Sequence, residues 1–282
     1  MLVKPKSRIF ATAKEKIHPM KISLIISTYN WPQALNLCLN SVRLQTRMPD
    51  EVIIADDGSR EETRDMIAEQ AKTFPCPLHH AWIPDEGFRL SKSRNNAIRN
   101  YCSGDYVIFI DQDIILDRHF TADHERIAEE GYFVCGGRAK LEKAITDRLT
   151  TGENIHLGFF TQGVSRKLNT VHAPWLHGLT RNMYSSRPLY GRGANMAMWA
   201  KDLKAVNGFD EDIMGYGGED VDLFNRLLNS GVKKKYAQFC AIEYHLWHKR
   251  GQLTEAKAVK NFAIERKTSC VHGLTLRKET DE

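Results

Sequence analysis

The 282-residue sequence predicts a doubly wound α/β fold built on a mixed sheet. Short apolar, β-branched runs alternate with helical stretches at about 30-residue spacing, as βαβ units do. The runs are apolar on both faces, which marks strands covered by helices on both sides.

Lys21–Thr28 (KISLIIST) reads as the first strand. Pro32 then falls at a first helical position, and Leu35, Leu37, Leu39, Val42 and Leu44 give a helical stripe. Glu51–Ala55 (EVIIA) is the second strand, closed by Asp56-Asp57-Gly58-Ser59. Ser59 is placed to cap the next helix, with Glu61 and Glu62 in its first turn. Leu78–Ile83 reads as a third strand, Ser91 as the cap of a helix through Tyr101, and Tyr106–Ile110 (YVIFI) as the fourth strand. Asp117–Glu130 reads as helix and Tyr132–Gly136 as strand. From about 139 to 189 the periodicity breaks into mixed polar, aromatic and Gly-containing sequence. It resumes at Gly193–Ala200, followed by a helix from Lys201, the turn Asn207-Gly208-Phe209, and a helix from about Glu219 to Asn229. The chain divides into a basic extension (1–20), an α/β half (21–138), a second half (139–250) and a basic, helical tail (251–282).

Hydrophobic residues make up 42% and charged residues 27%, ordinary globular values that exclude disorder, collagen and coiled coil. No apolar run approaches the roughly 18–20 residues of a membrane span, and the start has no signal-peptide core. Six scattered cysteines without CxxC pairing suit reduced thiols in a cytoplasmic protein. Residues 1–20 carry five basic and one acidic side chain, residues 249–282 eight and five, so the body between is slightly acidic. Such ends suit either peripheral contact with anionic membrane or a phosphate-bearing acceptor, or are simply solvated. No RNP, HTH or finger pattern supports nucleic-acid binding.

Sheets of this class bind ligands beyond the carboxyl ends of their strands. Those ends carry Ser27-Thr28-Tyr29-Asn30, Asp56-Asp57-Gly58-Ser59 and Asp111-Gln112-Asp113. Carboxylates directly after buried apolar strands are costly without a partner. Asp113 can reach a hard cation, while Asp111 supports it or binds a hydroxyl; Mg²⁺ or Mn²⁺ with ligand phosphate fits this chemistry. Neither GxGxxG nor a Walker loop follows the first strand, so phosphate must be neutralised by metal and by side chains such as Arg89, Lys92 and Arg94.

The ordered set STYN, ADDGS, GFRLSKSRNNAI and DQD resembles glycosyltransferase family 2, of the GT-A fold. The later GFDE and GYGGEDVDLFNRL resemble the carboxyl-terminal module of β-1,4-galactosyltransferases (family 7), also found in bacterial chondroitin-type and capsule enzymes. These matches cover about residues 21–138 and 190–250. The resemblance implies a metal-dependent, inverting transferase using a UDP-sugar donor, with galactose or N-acetylgalactosamine favoured, and a growing surface glycan or lipid-linked glycan as acceptor. By the same resemblance Ser27 and Tyr29 meet the nucleobase, Asp57 accepts from the uracil N–H, Arg94 lies beside the diphosphate, Asp111 binds the ribose or joins the metal ligands, and Gln112 belongs to the donor site. Asp113 ligates the metal. Glu219-Asp220 is the acidic pair at the acceptor, with Asp220 as general base and Glu219 on acceptor hydroxyls. The Gly217-Gly218 pair permits close approach of a sugar, and the helix N-terminus behind it favours a carboxylate.

His248 stands where those enzymes complete their metal shell; His245 replaces the family's Met and either ligates or supports a ligand. Asp222 reads as a helix-start or acceptor-side charge. Trp175, His177, Arg166, Trp247 and Tyr216 are candidates to contact the acceptor. Two other readings stay open. A sugar-phosphate nucleotidyltransferase predicts a Gly-rich basic loop where this chain has STYNWPQ. An inactive glycan-binding module predicts loss of Asp111, Asp113 and Asp220, all of which are present.

Overall fold

A computed structural model describes residues 20–184, 191, 193–215, 217–249 and 266–275. Chain order is β1 (Ile22–Thr28), α1 (Pro32–Arg43), β2 (Glu51–Asp56), α2 (Glu61–Ala71), β3 (Leu78–Trp82), α3 (Leu90–Tyr101), β4 (Tyr106–Asp111), β5 (Ile114–Leu116), α4 (Phe120–Ile127), β6 (Tyr132–Gly136), β7 (Ala139–Leu141) and α5 (Lys143–Thr150). After β8 (Val164–Ser165) and the short α6 (His177–Thr180) come β9 (Met196–Trp199), α7 (Ala200–Ala205), α8 (Glu219–Asn229), β10 (Lys233–Ala237) and β11 (Glu243–His245).

The main sheet has seven strands in the order β10-β6-β9-β4-β1-β2-β3. β1 pairs in parallel with β2 and β4, β10 in parallel with β6, and β9 runs antiparallel to both β4 and β6. The carboxyl ends of β1, β2, β4, β6 and β10 therefore share one edge of the sheet. The mixed sheet expected from the sequence is present, and its central strands are buried along their whole length. Fully enclosed side chains such as Leu24, Ile25, Ile53 and Ile108 each contribute about 1.5–3 kcal/mol of burial. A smaller four-stranded sheet, β5-β11-β7-β8, stands beside the main one.

Pro32 opens α1 as expected, and Leu35, Leu39 and Val42 face the core. Leu44 lies beyond the helix end and is exposed. Neither expected serine cap forms. Ser59 Oγ accepts the N–H of Asn30, while Asp56 Oδ1 accepts that of Ser59, so the hydroxyl closes the loop between two strand ends. Arg89, not Ser91, precedes α3, and its N–H donates to Asp57 Oδ2 at 2.7 Å. The Asp57 carboxylate, just after β2, thus holds the residue that enters α3, where its charge faces the positive end of the helix. The helix around α4 is shorter than its periodicity indicates, ending at Ile127.

Asp222 is neither a free helix-start charge nor an acceptor contact. It pairs with Arg226 one turn on (Nε to Oδ2, 2.9 Å), and Arg226 Nη1 also donates to the carbonyls of Val206 and Gly208. Both side chains are almost wholly buried. This group fixes α8, which carries the acidic pair, to the turn at Asn207-Gly208. The described part of the C-terminal tail, 266–275, is irregular rather than helical and is held by the Asn207 side chain through Cys270 O, Thr275 O and Thr275 N. Most of both basic ends lies outside the described residues. No helix among the described residues is long and apolar enough to cross a membrane. All six cysteines are free, and four of them are buried.

Removing one partner of a buried ion pair strands the other. Arg226→Met is expected to lower unfolding stability by about 3–5 kcal/mol in urea titrations, and the double change Arg226→Met with Asp222→Leu should recover part of the loss.

Candidate active site

Three groups meet at the carboxyl edge of the sheet. The first is Asp113, His245 and His248. Asp113 directly precedes β5, and β11 pairs with β5 so that His245 stands opposite Ile114. Leu246 N–H then donates to the Asp113 carbonyl at 2.9 Å. This register, set by the small sheet, delivers His245 and, three residues later, His248 to the Asp113 carboxylate. Their Nε2 atoms lie 3.2 and 3.1 Å from Asp113 Oδ2. One ligand atom from each of the three residues falls within 4.8 Å of the others, a group able to hold a metal ion. Asp113 Oδ1 is buried without a hydrogen-bond partner among the described residues, as a carboxylate oxygen awaiting a cation would be. Burial alone would push the Asp113 carboxyl up; the hydrogen bonds and charge of His245 and His248 outweigh it and hold it well below the usual carboxylate range. His248 is raised in turn, chiefly by its hydrogen bond to Asp113. Mixed imidazole and carboxylate ligands suit Mn²⁺ better than Mg²⁺, which prefers oxygen. Trp31 stands edge-on to the His248 ring at 6.4 Å.

The second group is centred on Arg94, which α3 buries completely. Its Nε donates to Ser27 Oγ at 3.0 Å and Nη2 to Asp111 Oδ1 at 3.2 Å, while Nη1 lies 3.7 Å from Glu219 Oε1. Asp111 is thus engaged by Arg94 and stands outside the metal-ligand triad. Gln112 accepts from Thr28 Oγ1 and donates to Tyr29 O at 3.0 Å, so its side chain sutures the STYN segment to the end of β4. Tyr29 is half exposed at the mouth of the cleft and donates from its hydroxyl to Asp85 Oδ2. Asp57 Oδ1 is buried without a hydrogen-bond partner among the described residues, and burial pushes the Asp57 carboxyl up to about 6.

The third group is the acidic pair at the start of α8. Gly217 and Gly218 both have positive φ, 99° and 107°, and Gly218 is the residue before the helix, so the sharp entry needs glycine. Asp220 Oδ2 accepts the N–H of Gly193 at 2.9 Å. Glu219 Oε2 is buried and unpartnered among the described residues; burial, then the Asp220 charge, push its carboxyl up to about 7 against the pull of Arg94.

Two contributors were not named from the sequence. Gly193 holds Asp220 through its backbone. Arg138, just beyond the carboxyl end of β6, has a buried Nε without a partner among the described residues, and its charge acts on both Asp111 and His248. Its place after a strand end, at Gly136-Gly137-Arg138, was the available signal. Of the residues considered for the acceptor, Trp175 is exposed, Trp247 lies under Lys143 at 5.7 Å, and Tyr216 lies outside the described residues.

The mixed doubly wound sheet is that of the GT-A fold, as the likeness to solved glycosyltransferase structures shows. The mannosyltransferase PcManGT of Pyrobaculum calidifontis, solved with GDP-Man and Mn²⁺, superposes with a TM-score of 0.58 at 17% identity, over 86% of this chain and 62% of that one. TarS 1-349 of S. aureus with UDP-GlcNAc gives 0.57 at 19% identity, over 84% and 61%. The chain belongs to glycosyl transferase family 2, whose family model matches residues 23–185. A second model, described as the N-terminal domain of galactosyltransferase, matches residues 180–249. Relatives include validoxylamine A glucosyltransferase of Streptomyces hygroscopicus subsp. limoneus (27% identical over 76% of this chain and 49% of that protein). The hyaluronan synthase of Pasteurella multocida is 26% identical over 74% of this chain and 23% of that protein. The chain spans about half the length of the validoxylamine relative or less of the longer ones.

Asp113→Ala and His248→Ala are each expected to weaken Mn²⁺ binding in the presence of UDP by at least about tenfold, read by the electron paramagnetic resonance of free Mn²⁺. Unchanged affinity in both would remove the triad from the metal site.

Proposed function

We propose that the protein is an inverting, metal-dependent glycosyltransferase that moves a sugar from a UDP-sugar to a hydroxyl of a glycan or lipid-linked glycan. The observation that carries this reading is the presence, at one edge of the sheet, of a triad able to hold a metal ion and of an acidic pair that buried Arg94 links to Asp111. Family membership supports it, and neighbouring structures hold nucleotide sugars. Galactose or N-acetylgalactosamine is the donor sugar favoured, a choice supported by the match of residues 180–249. Free thiols and slightly basic ends are compatible with a cytoplasmic site of action, with peripheral contact at the membrane.

Ser27 and Tyr29 border the nucleobase, and Asp57 Oδ1 accepts its imide N–H. Asp113, His245 and His248 would hold the metal, which when bound neutralises charge on the diphosphate leaving group. Arg94, through Asp111, and Arg138 add fixed positive field beside it. Asp220 takes the proton of the acceptor hydroxyl as that oxygen bonds to the anomeric carbon. The bond from that carbon to the diphosphate oxygen breaks, and UDP departs with the electron pair. Attack opposite the leaving group gives a β-linked product from an α-linked donor, with no covalent enzyme intermediate. Glu219 binds a neighbouring acceptor hydroxyl and, near neutrality, can offer either a proton or a lone pair.

Screening UDP-sugars for Mn²⁺-dependent UDP release tests the reading; silence across the panel would favour a binding module instead. Asp220→Asn is expected to lower kcat by about 10²–10⁴-fold while donor KM changes little, and an α-linked product by NMR would exclude the general-base route. Because the Asp57 carboxyl is raised to about 6, it takes up a proton as pH falls through that value and loses charge-assisted acceptance. Donor KM should therefore rise severalfold between pH 7 and pH 5, and Asp57→Asn should flatten that limb.

A further inference from the structure

Beside the acidic pair lies a second cavity of approximately 700 Å³, within the range of about 300–1,000 Å³ of small-ligand sites. It opens at the carboxyl ends of β6 and β10, whose last residues, Gly136 and Ala237, are register partners. One wall is Gly191, which packs against the ring of Phe224, one turn beyond Asp220 in α8, and stands two residues before the Gly193 whose N–H holds Asp220. The charged side chains lining it, among the described residues, are both cationic: Arg166 and Lys167. Arg166 forms no ion pair among the described residues, and Lys167 meets only the face of Phe159, at 5.8 Å.

The backbone around the cavity is also held in an unfavourable form. Six described non-glycine residues have positive φ, and three of them line this cavity: Arg166 (56°), Tyr184 (59°) and Phe239 (63°). Each such conformation costs on the order of 1–2 kcal/mol for a residue bearing a Cβ, and such strain gathers at binding sites. Arg166 holds this geometry as the residue entering a single 3₁₀ turn, its carbonyl accepting from Asn169 N–H at 2.9 Å. Asn169 in turn donates to Arg138 O, which ties the turn to the residue beside the metal triad. Aromatic faces at Phe159 and Tyr184 offer stacking surfaces for sugar rings next to the two cations.

We infer that this cavity is the acceptor subsite for a negatively charged saccharide, and that Arg166 and Lys167 recognise its carboxylate or phosphate. The inference rests on the transferase reading above and adds the substrate class. A guanidinium and an ammonium without carboxylate partners among the described residues, beside aromatic rings in one cavity, favour an anion on the saccharide bound there.

The test measures binding to the full chain loaded with Mn²⁺ and UDP, by titration calorimetry. The probes are methyl β-glucoside, methyl β-glucuronide and methyl β-glucoside 6-phosphate. One charged probe is expected to bind at least about tenfold more tightly than the neutral glucoside, with affinity falling as salt rises. A lead for the glucuronide identifies a uronic acid, and a lead for the phosphate identifies a phosphosugar. In Arg166→Ala with Lys167→Ala the preference should collapse to within about twofold, and Lys167→Arg should keep it. Equal binding of all three probes, or of none, overturns the inference, as does binding to phosphatidylglycerol vesicles with no saccharide preference. None of these outcomes touches UDP release, whose absence would instead sink the transferase reading.

Discussion

The structure turns on one buried cation. Arg94 is enclosed in the middle of a protein whose flanking strands are almost wholly apolar, a position that costs several kcal/mol unless every facing group answers it. The answers come from four separate stretches of chain: Ser27 at the end of β1, Asp111 at the end of β4, the Gly193 carbonyl before β9, and Glu219 at the start of α8. The ring of Phe209 lies 5.2 Å from the guanidinium on a further side. The two family matches, residues 23–185 and 180–249, meet on this side chain. Neither half can shift without stranding a charge that the other half neutralises.

A second joint is made by hydrogen-bond register rather than charge. The small sheet joins a strand that follows Asp113 directly to one that arrives more than a hundred residues later. A slip of one residue in that pairing would turn His245 to the other face and dismantle the triad. The small sheet therefore acts as a jig for the Asp113–His245–His248 triad, and its hydrophobic cluster around Leu141, Ile145, Tyr244 and Leu246 keeps the jig in place.

Central strands and the acidic helix were legible in the sequence because their signals are local. KISLIIST, EVIIA and YVIFI are apolar runs with β-branched residues, and the Gly-Gly before Glu219 marks the helix entry. Asp113 could be picked out as a carboxylate closing a buried strand; His245 and His248 could be paired with it only through resemblance, since their meeting depends on the β5–β11 register. What could not be read was where polar side chains spend their hydrogen bonds. Ser59 and Ser91 had the composition of caps, yet Arg89 enters α3, held by Asp57 from the loop after β2. Asp222 reads from the sequence as a helix-start or acceptor-side charge because the pattern does not show that Arg226 is drawn inward by the carbonyls of Val206 and Gly208. Arg138 and the neighbouring cavity depend on contacts between β6, β10 and the segment around Arg166–Asn169, in a stretch where the sequence periodicity carries no information.

The left-handed residues around that cavity bear on how such a protein changes over generations. At Arg166, Tyr184 and Phe239 a glycine or asparagine would relieve the backbone, at Tyr184 with the loss of the ring's packing on Tyr236 and the core. Drift under selection for robustness alone would erode these three positions first. A lineage that keeps bulky side chains there is holding them against a standing thermodynamic incentive, so these positions are where selection on the cavity would show between close relatives.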